Sequence, residues 1–498
     1  MRIAIINVGA SAFRMYIAEF LRHERALDFL IKPLRIGKDT FSKGYISLEN
    51  VKKSTEILNL FKLKLEEYGV TEYRALCTSG VREAGNKDFF LDYTLHNSGI
   101  KLEVLEPWEE SYIKYVGAKN SVDNFEELER EGVVLANVAS GNVNLHATLK
   151  NRVVFSGTLP YGSLRLRQMF KSISHMKRYR AIQEYVKIMI NSVARAVESG
   201  TINHLIGAGS SINMMLSLFN LKDNRIHLNM LQDIYEKVRT LPLDEIIETT
   251  GLRREQSSVL VTTLITYIEL MKLVKAKSFV FSRDTFPRTM ALYYTGKIKD
   301  THLSDRAKNT LMHIARHYNA DTRHAVWVNC FARTIFKELS DLHSLENNMR
   351  FALETAVVLN DVGNYISDLD AAANAFNIIK AIQMPGIDAD IFQTAACVVF
   401  EANRTPQSVP PGGYVEMMAK NPLTIRKLAA IHRLADSLDA ARNRHIKRIS
   451  ISVSDTIVVT ADTVREAYLE TYAFNNLKRY FAETFGIGIE LKTRICYE

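Results

Sequence analysis

VVLANVASGNVNLHATLK, residues 133–150, reads as an apolar strand, a tight turn of small residues, and a second strand with alternating apolar positions. That is a β-hairpin. Its Gly/Ser/Asn turn lets backbone N–H groups approach a phosphate closely. The chain opens on the same design. In MRIAIINVGASAFRMYIAEF, residues 1–20, the apolar run Ile3–Ile6 enters a small-residue turn, Asn7–Ala12, and leaves it as a second strand-like run, Phe13–Phe20. Two strand–turn–strand units imply a duplicated domain with a ligand between its halves. Neither turn carries a carboxylate.

At 498 residues the chain is too long for one ordinary domain, so three or four are expected. No run of about 18 consecutive apolar residues occurs, and no membrane span is expected. The N-terminal residues lack a signal-peptide layout, which points to the cytoplasm. The four cysteines, Cys77, Cys330, Cys397 and Cys496, show no CxxC spacing and read as idle thiols rather than a metal site. The net charge of +9 favours polyanionic partners such as polyphosphate, nucleotides or nucleic acid, and equally suits solubility alone. No aromatic-basic motif supports a nucleic-acid module.

Further along, Arg35–Tyr45 reads as a turn region. Leu48–Tyr68 reads as a helix capped by Ser47, with Val51, Ile57, Leu58, Phe61 and Leu65 near a 3.6 period. Strands are expected at Tyr73–Thr78, Ile100–Leu105, Val153–Phe155 and Phe279–Ser282, and a long helix at 179–198. HLIGAGSSIN, residues 204–213, is a strand ending in a third phosphate-friendly turn before a helix. From about Leu303 to Arg442 helical periods dominate. The tail, with a hairpin over Ile449–Val459 and a helix over Leu469–Phe485, reads as a small α+β domain.

The order of these segments matters. INVGASAFRM, CTSGVREAGN, LANVASGNVNL, TLPYGSLRL and LIGAGSS follow one another as in the exopolyphosphatase/guanosine pentaphosphate phosphohydrolase (Ppx/GppA) family, which the chain resembles over nearly its whole length. LETAVVLNDVGNYI and KLAAIHRLADSLD extend the resemblance into an HD-like helical domain. The resemblance implies an α/β fold of two actin-like lobes (the fold of sugar kinases, actin and the heat-shock ATPases), at residues 1–125 and 126–302. An all-α HD-like domain at 303–445 and a small α+β domain at 446–498 would follow. It implies a homodimer, a cleft between the lobes as the site, and hydrolysis of phosphate from inorganic polyphosphate or guanosine pentaphosphate with Mg²⁺. The alternative is a non-catalytic sensor of polyphosphate or guanosine penta- or tetraphosphate.

Residue by residue, the resemblance implies that Glu110 orients or deprotonates the attacking water and that Arg82 grips a phosphate. Phosphate binding is assigned to Ser79, Gly9, Arg14, Gly141, Gly162, Arg165, Gly207 and Gly209. Thr78, Glu83 and Asn86 match the same motif. Plainer readings stay open: Arg82 paired locally with Glu83, Glu110 favoured only by a helix dipole, and glycine turns that merely connect. Other positions depart from the family. It has Asp at Asn7 and Asn137, Glu at Asn144, Gly at Ala139, and hydroxyl side chains at Ala10 and Ala12. Mg²⁺ is usually held through carboxylates plus substrate oxygens, so no metal ligand is assigned and metal binding is expected to be weak. In the HD-like segment His324, Asp361 and Asp436 remain. Asn360, Asn403 and the AAANAF run, Ala371–Phe376, replace the family's other ligand positions, and His324 reads as a structural histidine.

Overall fold

The computed structural model describes residues 1–150, 152–197, 202–219, 224–298, 303–405 and 407–496. They form two compact units, Met1–Arg306 and Ala307–Glu498. The division falls within the helix Leu303–His317. Residues 299–302, beside the boundary expected from the sequence, lie outside the described residues, as does Glu198 at the end of the expected long helix.

The first unit holds two sheets. In one, β1 (Arg2–Val8) pairs antiparallel with β2 (Ala12–Phe20), and β2 with β3 (Glu24–Pro33); β4 (Glu72–Cys77) and the short β5 (Glu103–Val104) add in parallel beyond β1. In the other, β6 (Val133–Val138), β7 (Val143–Leu149) and β8 (Arg152–Leu159) form the same antiparallel meander. β9 (His204–Gly207) and β11 (Ser278–Phe281) extend it in parallel from β6, and β10 (Arg225–Ile226) is an added antiparallel edge. The order β8-β7-β6-β9-β11 thus repeats β3-β2-β1-β4-β5 strand for strand. This repeated topology is the actin-like fold, and it places the two small-residue turns at equivalent positions, between the first and second strands of each sheet. All residues of β6 and β7 are buried; β6 is accordingly a near-continuous apolar run, whereas β7 alternates and carries Asn144, His146 and Thr148 as buried polar residues.

Three local expectations are corrected. The region Arg35–Tyr45 contains a helix, Ile36–Lys43. Its Asp39–Lys43 ion pair and the left-handed Gly44 at its end stabilise that turn of chain. Asp39 also accepts from the Ser47 backbone (3.1 Å) and from Asn50 (2.7 Å), so Ser47 sits at the start of helix Leu48–Glu67 but spends its hydroxyl on Asp39 instead of capping. The strand expected over Ile100–Leu105 shrinks to Glu103–Val104, because β4 offers a partner only to that pair.

The helix Arg254–Val274 is long and apolar enough to cross a membrane by length and composition, yet 83% of its most apolar window is buried inside the protein. Leu260, Leu264, Tyr267 and Leu270 share a core cluster with Val134, Ala136 and Phe279 of the second sheet. It is the core helix of that lobe.

The second unit is helical from Ala307 to Ser437, then forms β12 (Ile446–Val453), β13 (Thr456–Thr463) and β14 (Gly488–Ile495), in the order β12-β13-β14. The helix Tyr468–Phe485 links the parallel pair β13 and β14. Ile446, Ile457, Val459 and Phe474 belong to the same core cluster as Val399, Leu428 and Ile431, so the tail and the helices share one apolar interior. All four cysteines are free thiols.

Candidate functional site

The turns after β1 and β6 face each other across a cleft in the first unit. Asn7, Gly9, Ala10, Ser11, Ala12 and Arg14 line it from one sheet; Asn137, Ala139, Ser140 and Gly141 line it from the other. The Ser11 and Ser140 hydroxyls meet at 2.8 Å and join the turns. Each turn is closed by one backbone bond, Gly9 N–H to the Ala12 carbonyl (3.1 Å) and Ala139 N–H to the Asn142 carbonyl (3.0 Å). The N–H groups of Ala10, Ser11, Ser140 and Gly141 donate to no protein acceptor among the described residues. Four free amides on two facing turns make an anion-binding concavity. Gly209, with φ +87°, and Ser211 bring the start of helix Ser210–Phe219 to the same cleft. The Ser210 side chain lies outside the described residues.

The cleft's charge is mostly positive. Arg14, Arg35, Lys114 and Arg253 line it against Glu110 and Glu255. Arg14 has no carboxylate partner among the described residues; its one bond is a long one to the Ala12 carbonyl (3.4 Å). Burial, and then the charge of Arg253, draw its guanidinium below the ordinary arginine value.

Glu110 stands in the first turn of helix Pro107–Ser121, behind Pro107, and is buried. One of its oxygens accepts from Lys114, one helical turn on; the other faces the two Arg82 nitrogens at 3.3 and 3.4 Å. Burial pushes the Glu110 carboxyl up, but the charges of Lys114 and Arg82 outweigh it and hold it below the usual range, so it is a carboxylate at neutral pH. Lys114 is equally buried, and burial pulls its ammonium down against the opposing pull of Glu110. Lys114 also donates to Asn144 Oδ1 (3.2 Å). With the Asn137 amide turned so that its nitrogen donates to the Ala208 carbonyl (3.0 Å), the Asn137 oxygen accepts from Lys114 at 2.8 Å.

Of the residues singled out in the sequence, Gly9, Arg14, Ser79, Glu110, Gly141 and Gly209 line the cleft, with Thr78 beside them. Arg82, Gly162, Arg165 and Gly207 stand behind it. Arg82 does not pair with Glu83; it holds Glu110 and the Leu105 carbonyl (2.6 Å). Glu83 pairs instead with Arg165, which also donates to the Gly141 carbonyl (2.7 Å) and stacks on Phe41 at 4.3 Å. Arg165 therefore ties one lobe to the other beside the turn. A Cβ at Gly207 would lie 2.3 Å from Ile212 and 2.7 Å from Phe279, so that glycine serves close packing. Asn86 exchanges two bonds with the Ile46 backbone (2.9 Å each). Arg35, Lys114 and Arg253 were not signalled by any motif; a lysine inside the apolar run YIKYVGA is the one local oddity.

A hard divalent cation does not fit this donor set. Asn7, Asn137 and Asn144 are neutral, and the last two, with Glu110, already face an ammonium. Among the described residues no group of three or more His, Cys, Asp and Glu could hold a metal ion.

In the second unit the HD-like residues are joined by side-chain hydrogen bonds and ion pairs. His324 bonds Asp439 through Nδ1 (2.8 Å) and Asp436 through Nε2 (3.0 Å). Asp361 accepts from Arg442 (2.6 Å) and Asn360 (3.0 Å), and Asn403 donates to Asn360 (2.8 Å). Burial opposes charge on His324, but its bonds to Asp436 and Asp439 prevail and raise the imidazole from 6.5 to about 9. The raised group stabilises the fold fully below pH 6.5, and that contribution is lost as pH climbs through 9. Denaturant unfolding followed at Trp327, in a Trp108→Phe background, is expected to lose roughly 2–3 kcal/mol between pH 6 and 9.5. His324→Leu flattens that slope.

Residues 27–285 match the model of the Ppx/GppA phosphatase family, and residues 307–474 that of Ppx/GppA phosphatase, domain III. A guanosine-5'-triphosphate,3'-diphosphate pyrophosphatase of Photobacterium profundum is 22% identical over 393 residues, 77% of this chain and 76% of its own. The crystal structure of an exopolyphosphatase from Cytophaga hutchinsonii superposes with a TM-score of 0.54 at 18% identity, covering 60% of this chain and 99% of its own. A Ppx/GppA family member from Aquifex aeolicus does so with a TM-score of 0.50 at 15% identity, covering 60% and 98%. At these identities the superpositions speak to the fold.

Proposed function

Since this chain belongs to the Ppx/GppA phosphatase family, we propose that its cleft binds the phosphoanhydride end of inorganic polyphosphate or of guanosine penta- or tetraphosphate and hydrolyses it slowly. The observation that carries the reading is the pair of facing turns whose amides at Ala10, Ser11, Ser140 and Gly141, like the guanidinium of Arg14 beside them, have respectively no protein acceptor and no carboxylate partner among the described residues. Phosphoryl oxygens supply the acceptors that these donors lack. The relatives' names add the substrate class: one is a guanosine-5'-triphosphate,3'-diphosphate pyrophosphatase, another an exopolyphosphatase.

In this reading the amides and Arg14 neutralise the terminal phosphoryl group, and Glu110 orients a water at its far side. Glu110 is a weak base here, because Lys114 and Arg82 stabilise its charged form. Without a metal ligand set, turnover is expected on the order of a thousandfold below that of a fully equipped site. Phosphate release from long-chain polyphosphate, measured with and without Glu110→Gln, tests this: the variant loses release at least tenfold and keeps binding.

One observation favours a second reading, a sensor that binds without turnover. Both Glu110 oxygens are already engaged, by Lys114 and Arg82. Polyphosphate binding by a wild-type chain that releases no phosphate above background selects the sensor.

A further inference from the structure

We propose that the Lys114 ammonium takes the place of a divalent cation in this cleft, so that the chain binds a phosphoanhydride anion without metal. The inference rests on the reading of the cleft as a phosphoanhydride site. With the Asn137 amide turned as above, three oxygens from three elements converge on one nitrogen: Glu110 from the preceding helical turn, Asn137 near the end of β6 and Asn144 near the start of β7; the two carboxamide oxygens then lie 3.2 Å apart, with the ammonium as their shared donor. An ammonium has three N–H donors, and each finds an acceptor here.

The charges agree with that assignment. One carboxylate and two carboxamides balance a monocation and leave a dication undercharged. Lys114 and Asn137 both line the cleft, so the ammonium stands beside the turn whose amides at Ser140 and Gly141 are free. Its three hydrogens are occupied, so it acts on a bound anion through charge, at short range and away from bulk solvent. The same charge repels any cation that would share those oxygens. A lysine that only completed a buried ion pair with Glu110 would fill the space equally well. It would leave anion binding indifferent to its removal.

The test uses the full chain, inorganic tripolyphosphate and Mn²⁺. Titration calorimetry measures tripolyphosphate affinity in EDTA and in Mg²⁺; electron paramagnetic resonance measures Mn²⁺ bound without anion. The wild type is expected to bind tripolyphosphate within twofold in either medium and to bind no Mn²⁺. Lys114→Met is expected to lose at least tenfold in EDTA, to recover part of that in Mg²⁺, and to bind Mn²⁺ at millimolar concentration. The double variant Glu110→Gln with Lys114→Met removes both charges of that pair and leaves Arg82 the Leu105 carbonyl and a carboxamide oxygen at position 110; thermal unfolding checks that it is folded, and it is expected to bind weakly in both media. Wild-type binding that requires Mg²⁺, or Lys114→Met binding unchanged in EDTA, overturns the inference. Should the wild type bind tripolyphosphate in neither medium, the phosphoanhydride reading fails and the Mn²⁺ arm decides Lys114 separately. Mn²⁺ bound by Lys114→Met and not by the wild type keeps the assignment; any other pattern ends it.

Discussion

Arg14→Met lowers the affinity for tripolyphosphate by roughly 30- to 1000-fold, the equivalent of about 2–4 kcal/mol, while the melting temperature holds or rises. The two halves of that expectation have one cause. Arg14 carries a charge into a partly buried wall of the cleft, with Arg253 working against it and only a long bond to the Ala12 carbonyl in return. In the free protein the guanidinium is a cost, because a buried charge without a partner is poorly solvated. With a phosphate in the cleft it gains a charge-assisted, two-pronged partner. A residue that served the fold would show the opposite sign, a fall in melting temperature on removal. Thermal unfolding and calorimetry on the same two proteins separate the cases.

Gly162→Ala is expected to destabilise the first unit by about 3 kcal/mol and to weaken anion binding at least tenfold. Gly162 has φ −79°, so the backbone conformation suits any residue; the constraint is space. A Cβ there would lie 2.3 Å from the Ser140 carbonyl carbon and 2.4 Å from the Ala139 and Ser140 oxygens. All three are backbone atoms and cannot rotate away. They belong to the turn whose amides point into the cleft, and the next residues hold that turn in place. Ser163 N–H donates to the Ala139 carbonyl (2.9 Å), and Leu164 and Arg165 N–H both donate to the Ser140 carbonyl (3.0 Å). The strain therefore lands on the site itself. Gly412→Ala is the control: nothing lies within 4 Å of its Cβ, and stability is expected to change by less than about 0.5 kcal/mol.

The hairpins at Asn7–Ala12 and Val133–Lys150 were legible in the sequence because both signals are local. Buried strands there are apolar runs, and turns that close at short range need small residues. The duplicated topology followed from finding the design twice. β3 was not legible: ERALDFLIKP lies half exposed along its length, and its mixed charges hide any alternation. The helix Ile36–Lys43 was hidden for another reason. Gly37 reads as a helix breaker, yet it is there because a Cβ would fall 2.6 Å from Ala10 in the first turn. Tertiary packing overrides propensity at such a position.

The site was legible in its turns and not in its charges. Arg14 and Glu110 stand in recognisable segments. The exchange of partners among Arg82, Glu83, Arg165 and Glu110 depends on which side chains two lobes bring together, and spacing along one segment does not encode that. Asn137 and Asn144 announced a missing negative charge. What balances them was visible only in space: Lys114 sits on the helix carrying Glu110, and its role depends on where β6 and β7 place two carboxamides.

If the two facing turns hold a phosphoanhydride end without metal, a crystal structure of the full chain grown with tripolyphosphate and EDTA will show it. A terminal phosphate is expected within hydrogen-bond distance of the Ser11 and Gly141 amides and of Arg14, with Lys114 still on Glu110. Tripolyphosphate bound elsewhere, or a divalent cation needed to seat it between the turns, would contradict the metal-free site.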